Sequence, residues 1–116
     1  MLRIRIALVV SSALALFAAA PAQAVTKLTG TVGPGFTIVL KQGTRKVTTL
    51  KPGTYTLVIR DLSGEHNFHL TGPGVNKATG IAFKGTKTFT IKVRKGLYRF
   101  VCDPHALALK GSFKVG

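Results

Sequence analysis

The sequence FVCDPHALALKG, residues 100–111, holds the only cysteine of the chain, Cys102, with a histidine three residues later. Pro104 fixes its own φ and favours extended geometry in the residue before it, so Cys102 and His105 cannot lie on one regular strand face. Apolar, β-prone runs flank the segment on both sides. We therefore predict a tight loop that joins two strands at one end of a sheet.

A second histidine motif, EHNFHL at residues 65–70, follows the strand-like run 55–60. Two strand ends can meet at one edge of a sheet. If His66 approaches Cys102 and His105, the three side chains form a trigonal set of two imidazoles and one thiolate. This is the ligand type of a blue-copper site.

The motif at residues 65–70 contains two histidines, and only one of them suits a shared metal. His66 and His69 are three residues apart on an extended segment, so their side chains point to opposite faces. Phe68 and Leu70 lie on the face of His66 and turn it toward the core. We therefore choose His66 as the ligand, read His69 as a surface histidine, and assign it no role.

The N-terminus has the pattern of a secretory signal peptide over residues 1–24. A short basic start precedes an apolar run at 6–20, and Ala-Gln-Ala at 22–24 supplies the small residues before a cleavage point. The apolar run is shorter than the ~20 residues that a spanning helix needs, although an uncleaved N-terminal anchor is the alternative. We predict export to the periplasm, the extracellular space or the cell envelope, and one domain over residues 25–116.

The chain is strongly basic. Loss of Arg3 and Arg5 with the signal peptide lowers the formal net charge from +14 to +12. The remaining cations are spread along the chain without the basic-aromatic motif of a nucleic-acid module. We therefore expect an acidic redox-partner protein or an anionic envelope surface as partner, no nucleic acid, and a monomer with no transmembrane segment after cleavage.

Beyond residue 24, short β-prone runs alternate with turns rich in glycine and proline, and no convincing helical period appears. The fold class is all-β, and the spacing favours a Greek-key antiparallel β-sandwich of seven or eight strands. The candidate strands are 27–32, 36–41, 45–50, 54–61, 66–71, 86–93, 97–102 and 110–115.

The two motifs together resemble those of the cupredoxins, the blue-copper family of plastocyanin, azurin and pseudoazurin. The C-x-P-H loop at 102–105 and the upstream His66-Asn67 pair carry the resemblance, which covers essentially all of residues 25–116. It implies that His66, Cys102 and His105 are the equatorial ligands of one copper that alternates between Cu(I) and Cu(II). It also implies that Asn67 ties the two ligand loops together.

The chain departs from the family at the axial position. Cupredoxins usually have a methionine there, whereas this chain has Leu109, and its sole methionine is Met1. Leucine has no donor atom, so the copper would be nearly three-coordinate and its reduction potential raised. By analogy with azurin, the main-chain carbonyl of Glu65 could approach from the opposite side.

The resemblance implies a one-electron carrier, and two alternatives stay open: a copper storage or delivery module, and a metal-free sandwich used as an envelope binding module. Zinc is the competing metal, because two imidazoles and a thiolate also suit it. We expect no enzymatic activity. Three histidines cannot build a trinuclear copper centre, and three acidic residues offer no plausible catalytic pair.

Overall fold

The computed structural model describes Ala7, residues 9–13 and residues 25–116. The predicted signal peptide lies largely outside the described residues; Ala7 and residues 9–13 are exposed and have no regular secondary structure. Among the residues that are described, no helix is long and apolar enough to cross a membrane. All the strands and the buried core lie within residues 25–116, so this segment contains the whole of the described fold.

Within the described part of the chain, ten strands form two five-stranded sheets. The first sheet has the order β3-β2-β1-β5-β8 and the second the order β4-β10-β9-β6-β7. The strands are β1 Thr26–Val32, β2 Ile38–Gln42, β3 Arg45–Lys46, β4 Thr49–Leu50, β5 Gly53–Asp61, β6 His69–Gly72, β7 Val75–Ala78, β8 Gly85–Val93, β9 Gly96–Val101 and β10 Lys110–Val115.

The β-sandwich prediction is confirmed, but the pairing is not wholly antiparallel. β1 pairs with β5 in parallel, and β4 pairs with β10 in parallel, so both sheets are mixed. The parallel pairs arise because the chain crosses to the second sheet at β4 and returns to the first at β5, where it lies beside β1. Such a crossover brings together strands that are not neighbours in sequence.

Several sequence-based strand assignments differ from the structure for identifiable reasons. The predicted strand 45–50 is two strands in different sheets, because Val47 turns inward to donate its N–H to the Leu40 carbonyl at 2.9 Å. β6 begins at His69 rather than at residue 66, since the preceding residues form a loop. β7 was not predicted, because only two residues of its short run Val75–Ala78 are apolar and the run follows a Gly-Pro-Gly turn.

Alternation along the strands builds the core. β5 buries every second residue, as the sequence predicts, and β8 buries Ile91 and Val93 on the same face. Leu28 and Leu57 of the first sheet pack with Leu70 of the second in one hydrophobic cluster. Burial of these apolar side chains supplies the main driving force for folding.

Two stacked aromatic pairs fill the space between the sheets. Phe68 and Phe100 are nearly parallel with ring centroids 5.4 Å apart, and Tyr98 and Phe113 are stacked at 5.2 Å. Gly111 lies opposite Phe100 in the ladder, and a Cβ placed there would stand 2.2 Å from the Phe100 ring. The close approach of this ring therefore requires glycine. Because Phe100 lies two residues before Cys102, this packing also anchors the loop at residues 102–109, here called the cysteine loop.

We predict that Gly111→Ala destabilises the protein, because its methyl group would force the Phe100 ring out of place. Overpacking of this kind costs about 1–3 kcal/mol. Gly80→Ala is the matched control, since a Cβ there would meet its nearest neighbour at an ordinary 3.8 Å. Urea denaturation of both variants measures the free energy of unfolding, and equal stability of the two would contradict the close-packing explanation.

Candidate metal centre

The loop after β9 is closed by its own backbone hydrogen bonds. The short 3₁₀ helix Asp103–His105 follows Cys102, and the His105 N–H donates to the Cys102 carbonyl at 2.9 Å. Leu109 donates to the His105 carbonyl at 2.8 Å, and the Leu109 carbonyl accepts the Cys102 N–H at 3.0 Å. The predicted tight loop is present, and these bonds hold the thiol and the imidazole at fixed positions.

The loop that carries His66 is shaped by a short turn after β5. Asp61 is fully buried, and its Oδ1 accepts the Ser63 N–H at 3.0 Å. The Ser63 carbonyl then accepts the His66 N–H at 3.4 Å. Burial is the largest influence on Asp61 and raises the pKa of its carboxyl group. His66 therefore reaches the site from a hydrogen-bonded loop, not from the extended strand that the sequence predicts.

The structure brings His66, Cys102 and His105 together at one end of the sandwich. The two Nδ1 atoms are 3.1 Å apart, and each lies 3.6 Å from the Cys102 Sγ atom. Cys102 and His66 are buried, whereas His105 is half-buried. The three residues are donors of the kind that bind transition metals.

The triangle of donor atoms has a size that fits a metal ion. The point equidistant from the three atoms lies about 2.0 Å from each, close to the roughly 2.0–2.1 Å of zinc–imidazole bonds and the roughly 2.3 Å of zinc–thiolate bonds. Other transition-metal ions of similar size form bonds of similar length to imidazole and thiolate. The residues therefore fit a small transition-metal ion without a large rearrangement.

Asn67 joins the two loops of the site. Its backbone N–H points at the Cys102 Sγ atom at 3.4 Å, and its Oδ1 accepts the Asp103 N–H at 2.7 Å. Its Nδ2 donates to the Thr79 carbonyl at 3.1 Å and to the Asp103 Oδ2 at 2.7 Å. The side-chain amide thus uses both its donor and its acceptor atoms in a buried position, where unpaired polar groups are costly.

His69 contacts the cysteine loop, which the sequence analysis did not predict. Its Nδ1 lies 2.8 Å from the Asp103 Oδ1, and its Nε2 lies 2.6 Å from the Asn76 Oδ1. Burial lowers the pKa of His69, but the hydrogen bonds to Asp103 and Asn76 outweigh it and raise the pKa overall. The only hint of this contact in the sequence is the aspartate next to the cysteine. Its partner, His69, lies 34 residues away, so no local pattern links the two residues.

Phe36 is the second residue that the sequence analysis missed. Its ring lies edge-on to both site imidazoles, with centroids 5.1 Å from His66 and 4.8 Å from His105. Gly33, in the left-handed region with φ 72°, donates its N–H to the Thr37 carbonyl at 2.8 Å and so closes the turn that carries Phe36. Phe36 was predicted to begin β2, but it lies in this loop.

The remaining predicted site residues lie near the centre in different environments. Leu109 is almost fully buried and closes the cysteine loop through its backbone. The Glu65 side chain is exposed in the loop before His66. The apolar residues 106–108 are exposed beside His105, and Leu107 is 91% exposed. With Phe36, which is 65% exposed, they give this end of the molecule an apolar surface.

We predict that the pair His69–Asp103 makes stability depend on pH in the metal-free protein. Because the pKa of His69 is raised above its ordinary value of 6.5, the protonated imidazole stabilises the fold fully below pH 6.5. This stability is lost as the pH rises through the folded-state pKa. Burial raises the pKa of Asp103, but hydrogen bonds to Asn67 and His69 lower this pKa overall. The Asp103 carboxylate therefore contributes to stability above pH 3.8, and the contribution is lost as the pH falls through the folded-state pKa.

The destabilisation caused by His69→Ala should therefore be largest between about pH 4 and 6.5 and shrink above and below that window. Its size should be about 0.2–1 kcal/mol, because the pair is partly exposed to solvent. Urea titrations across pH measure it, with Thr71→Ala on the exposed face of the same strand as the control. A pH-independent difference between wild type and His69→Ala would count against the ion pair.

Comparison with known proteins identifies the fold. No protein-family model matches the sequence. No curated protein matches it either. Among solved structures, a methionine-to-glutamine mutant of rusticyanin matches with a TM-score of 0.58 and 21% identity, covering 78% of this chain and 76% of the other.

Two other rusticyanin structures agree. Rusticyanin from Thiobacillus ferrooxidans has a TM-score of 0.55 and 23% identity, and a methionine-to-leucine variant has 0.56 and 22%. Both matches cover 78% of this chain and 76% of the other. The chain therefore has the cupredoxin fold, as the sequence motifs predicted.

Proposed function

We propose that this protein is an exported, monomeric one-electron carrier that uses one copper ion held by His66, Cys102 and His105. The observation that carries the proposal is the compact triangle of one sulfur and two imidazole nitrogens at the end of a cupredoxin fold. A thiolate with two imidazoles is the donor set of blue-copper electron-transfer sites. When bound, copper supplies the one-electron change between Cu(II) and Cu(I).

Copper is favoured over a structural zinc by the number of donors, and over zinc in general by the resemblance of the motifs to the cupredoxins. Structural zinc sites are almost always four-coordinate, whereas the described residues bring together only three ligating side chains here. Leu109 occupies the sequence position where the family usually has its axial methionine, and it offers no fourth donor. The Glu65 main-chain carbonyl could supply a further weak contact to a bound copper.

The protein's contribution is to hold the donors in place. The Asn67 N–H donates toward the Cys102 sulfur, and the Asn67 side chain fixes the Asp103 backbone beside it. Such hydrogen bonds orient metal ligands and tune the metal. Because both loops are closed by backbone hydrogen bonds, the ligand positions need change little when an electron arrives.

The apolar surface around His105 is proposed as the place where electrons enter and leave. His105 is half-buried, and the exposed side chains of Phe36 and Leu107 lie at the same end of the sandwich. A partner that docks there would come within a short distance of the imidazole. We propose that apolar contact seats a redox protein there, and that the net positive charge of the molecule as a whole favours an acidic partner during approach.

We predict that one Cu(II) binds per chain and produces an intense thiolate-to-copper band in the visible spectrum. Cys102→Ser should abolish the band, because the sulfur donor is lost. His69→Ala should retain it, because both ring nitrogens of His69 are engaged by Asp103 and Asn76 outside the triangle. Titration of the metal-free protein with Cu(II) and with Zn(II) tests the assignment. Zinc binding without a copper band would favour a zinc site.

We predict that Leu109→Met lowers the reduction potential, because a thioether donor stabilises Cu(II) relative to Cu(I). A shift of about 100 mV would correspond to roughly 2 kcal/mol of differential stabilisation, at 59 mV per tenfold change for one electron. Leu107→Met is the matched control, since Leu107 lies in the same loop but is 91% exposed. Voltammetry measures both variants, and an unmoved potential in Leu109→Met would remove Leu109 from the axial place.

Measurements of electron exchange and copper retention on the copper-loaded wild type distinguish an electron carrier from a storage or delivery module. A carrier should exchange electrons quickly and retain copper against a chelator, because its ligands are already in place. A storage or delivery protein should release copper readily and has no need of fast exchange. Slow exchange with easy copper loss in the wild type would therefore favour copper handling.

A further inference from the structure

Charge is distributed very unevenly along the length of the sandwich. The end opposite the metal centre, here called the far end, is where β1, β5 and β9 begin and where β8 and β10 finish. Together with the end of β2 and the short strands β3 and β4 beside it, the residues at or next to these strand ends include nine exposed basic side chains and no acidic one: Lys27, Lys41, Arg45, Lys46, Lys51, Lys92, Arg94, Lys95 and Lys114. None of the nine forms an ion pair with an acidic side chain in the described part of the chain.

The metal-centre end has no such excess. It contains all the acidic residues of the chain, Asp61, Glu65 and Asp103. The basic residues near its strand ends number four, against three acids: Arg60, Lys77, Lys84 and Lys110. The molecule therefore has a nearly neutral, apolar end at the metal centre and a strongly cationic far end.

The far end is also where the N-terminal segment joins the domain. Thr26, the first residue of β1, lies beside Tyr55 near the start of β5. A cavity of about 570 Å³ opens at this end, and its lining includes Arg45, Lys51 and the threonines at 26 and 49, together with Gly116. Cationic and hydroxyl groups of this kind suit a phosphate-bearing headgroup.

We propose that the far end docks on the surface of an anionic phospholipid bilayer and holds the metal centre facing away from it. The proposal goes beyond electron transfer and does not depend on the bound metal. Clusters of lysine and arginine are attracted to anionic lipid surfaces, with an effect that fades within a Debye length.

Distance makes the proposed orientation testable. β5 has nine residues and runs between the two ends, so it separates them by about 30 Å at ~3.3 Å per residue. The Debye length at physiological salt is about 8 Å. Cations at the metal-centre end are therefore screened from a surface that touches the far end, and only the far-end cations should contribute to binding.

Two triple variants with equal loss of charge test the proposal. The far-end triple is Lys51→Gln, Arg94→Gln and Lys95→Gln, and the control triple is Arg60→Gln, Lys84→Gln and Lys110→Gln. Residues 25–116 contain the whole described core, so they are used without the apolar N-terminal segment and without metal. Sedimentation with phosphatidylglycerol or phosphatidylcholine vesicles measures the partition coefficient, and circular dichroism checks that each variant keeps its β structure.

We expect the wild type to bind phosphatidylglycerol vesicles and not phosphatidylcholine vesicles. The far-end triple should lower the partition coefficient on the order of 100-fold, and the control triple by less than about tenfold. Equal losses in the two triples would show that net charge alone governs binding, and would overturn the oriented surface. Absence of binding to phosphatidylglycerol, or tighter binding to soluble polyglutamate than to vesicles, would overturn lipid docking. Either failure leaves the copper proposal untouched, because the protein is metal-free.

Discussion

The metal centre depends on the buried side chain of Asn67, which connects two loops that are far apart in sequence. One amide accepts the Asp103 N–H and donates to both the Asp103 carboxylate and the Thr79 carbonyl. Its own backbone N–H points at the cysteine sulfur. A buried amide that lost these partners would incur the full cost of desolvation, so the two loops hold one relative position. The His66–Cys102 distance follows from that constraint.

Packing and polar contacts support this connection from two sides. On the core side, Phe68 follows Asn67 directly and stacks on Phe100, which precedes the cysteine loop. On the solvent side, His69 holds the Asp103 carboxylate, and its other ring nitrogen is bonded to the Asn76 Oδ1. The two loops are therefore fixed by close-packed aromatic rings on the core side and by hydrogen bonds on the solvent side. The donors are thereby held at fixed positions relative to one another.

The two ends of the sandwich are suited to different tasks. Exposed apolar side chains surround His105, and the formal charges at that end nearly cancel. The far end carries nine exposed cations without an acidic neighbour. Short-range apolar contact suits transient docking close to the imidazole, whereas a cluster of cations acts over a longer range and responds to salt. The separation of the two surfaces lets one molecule use both at once.

The sequence by itself determined the all-β class, the alternation in β5 and β8 and the tight loop at Pro104, and its motifs named three candidate donors. These features follow from local geometry and from residue chemistry that neighbours cannot change. Tertiary structure alone decided the parallel pairs, the division of residues 45–50 between the sheets, the bond between His69 and Asp103, and the position of Phe36 over the imidazoles. Each of these depends on contacts between segments distant in the chain, where the pairing is set by how the two sheets pack and leaves no periodic trace in the sequence.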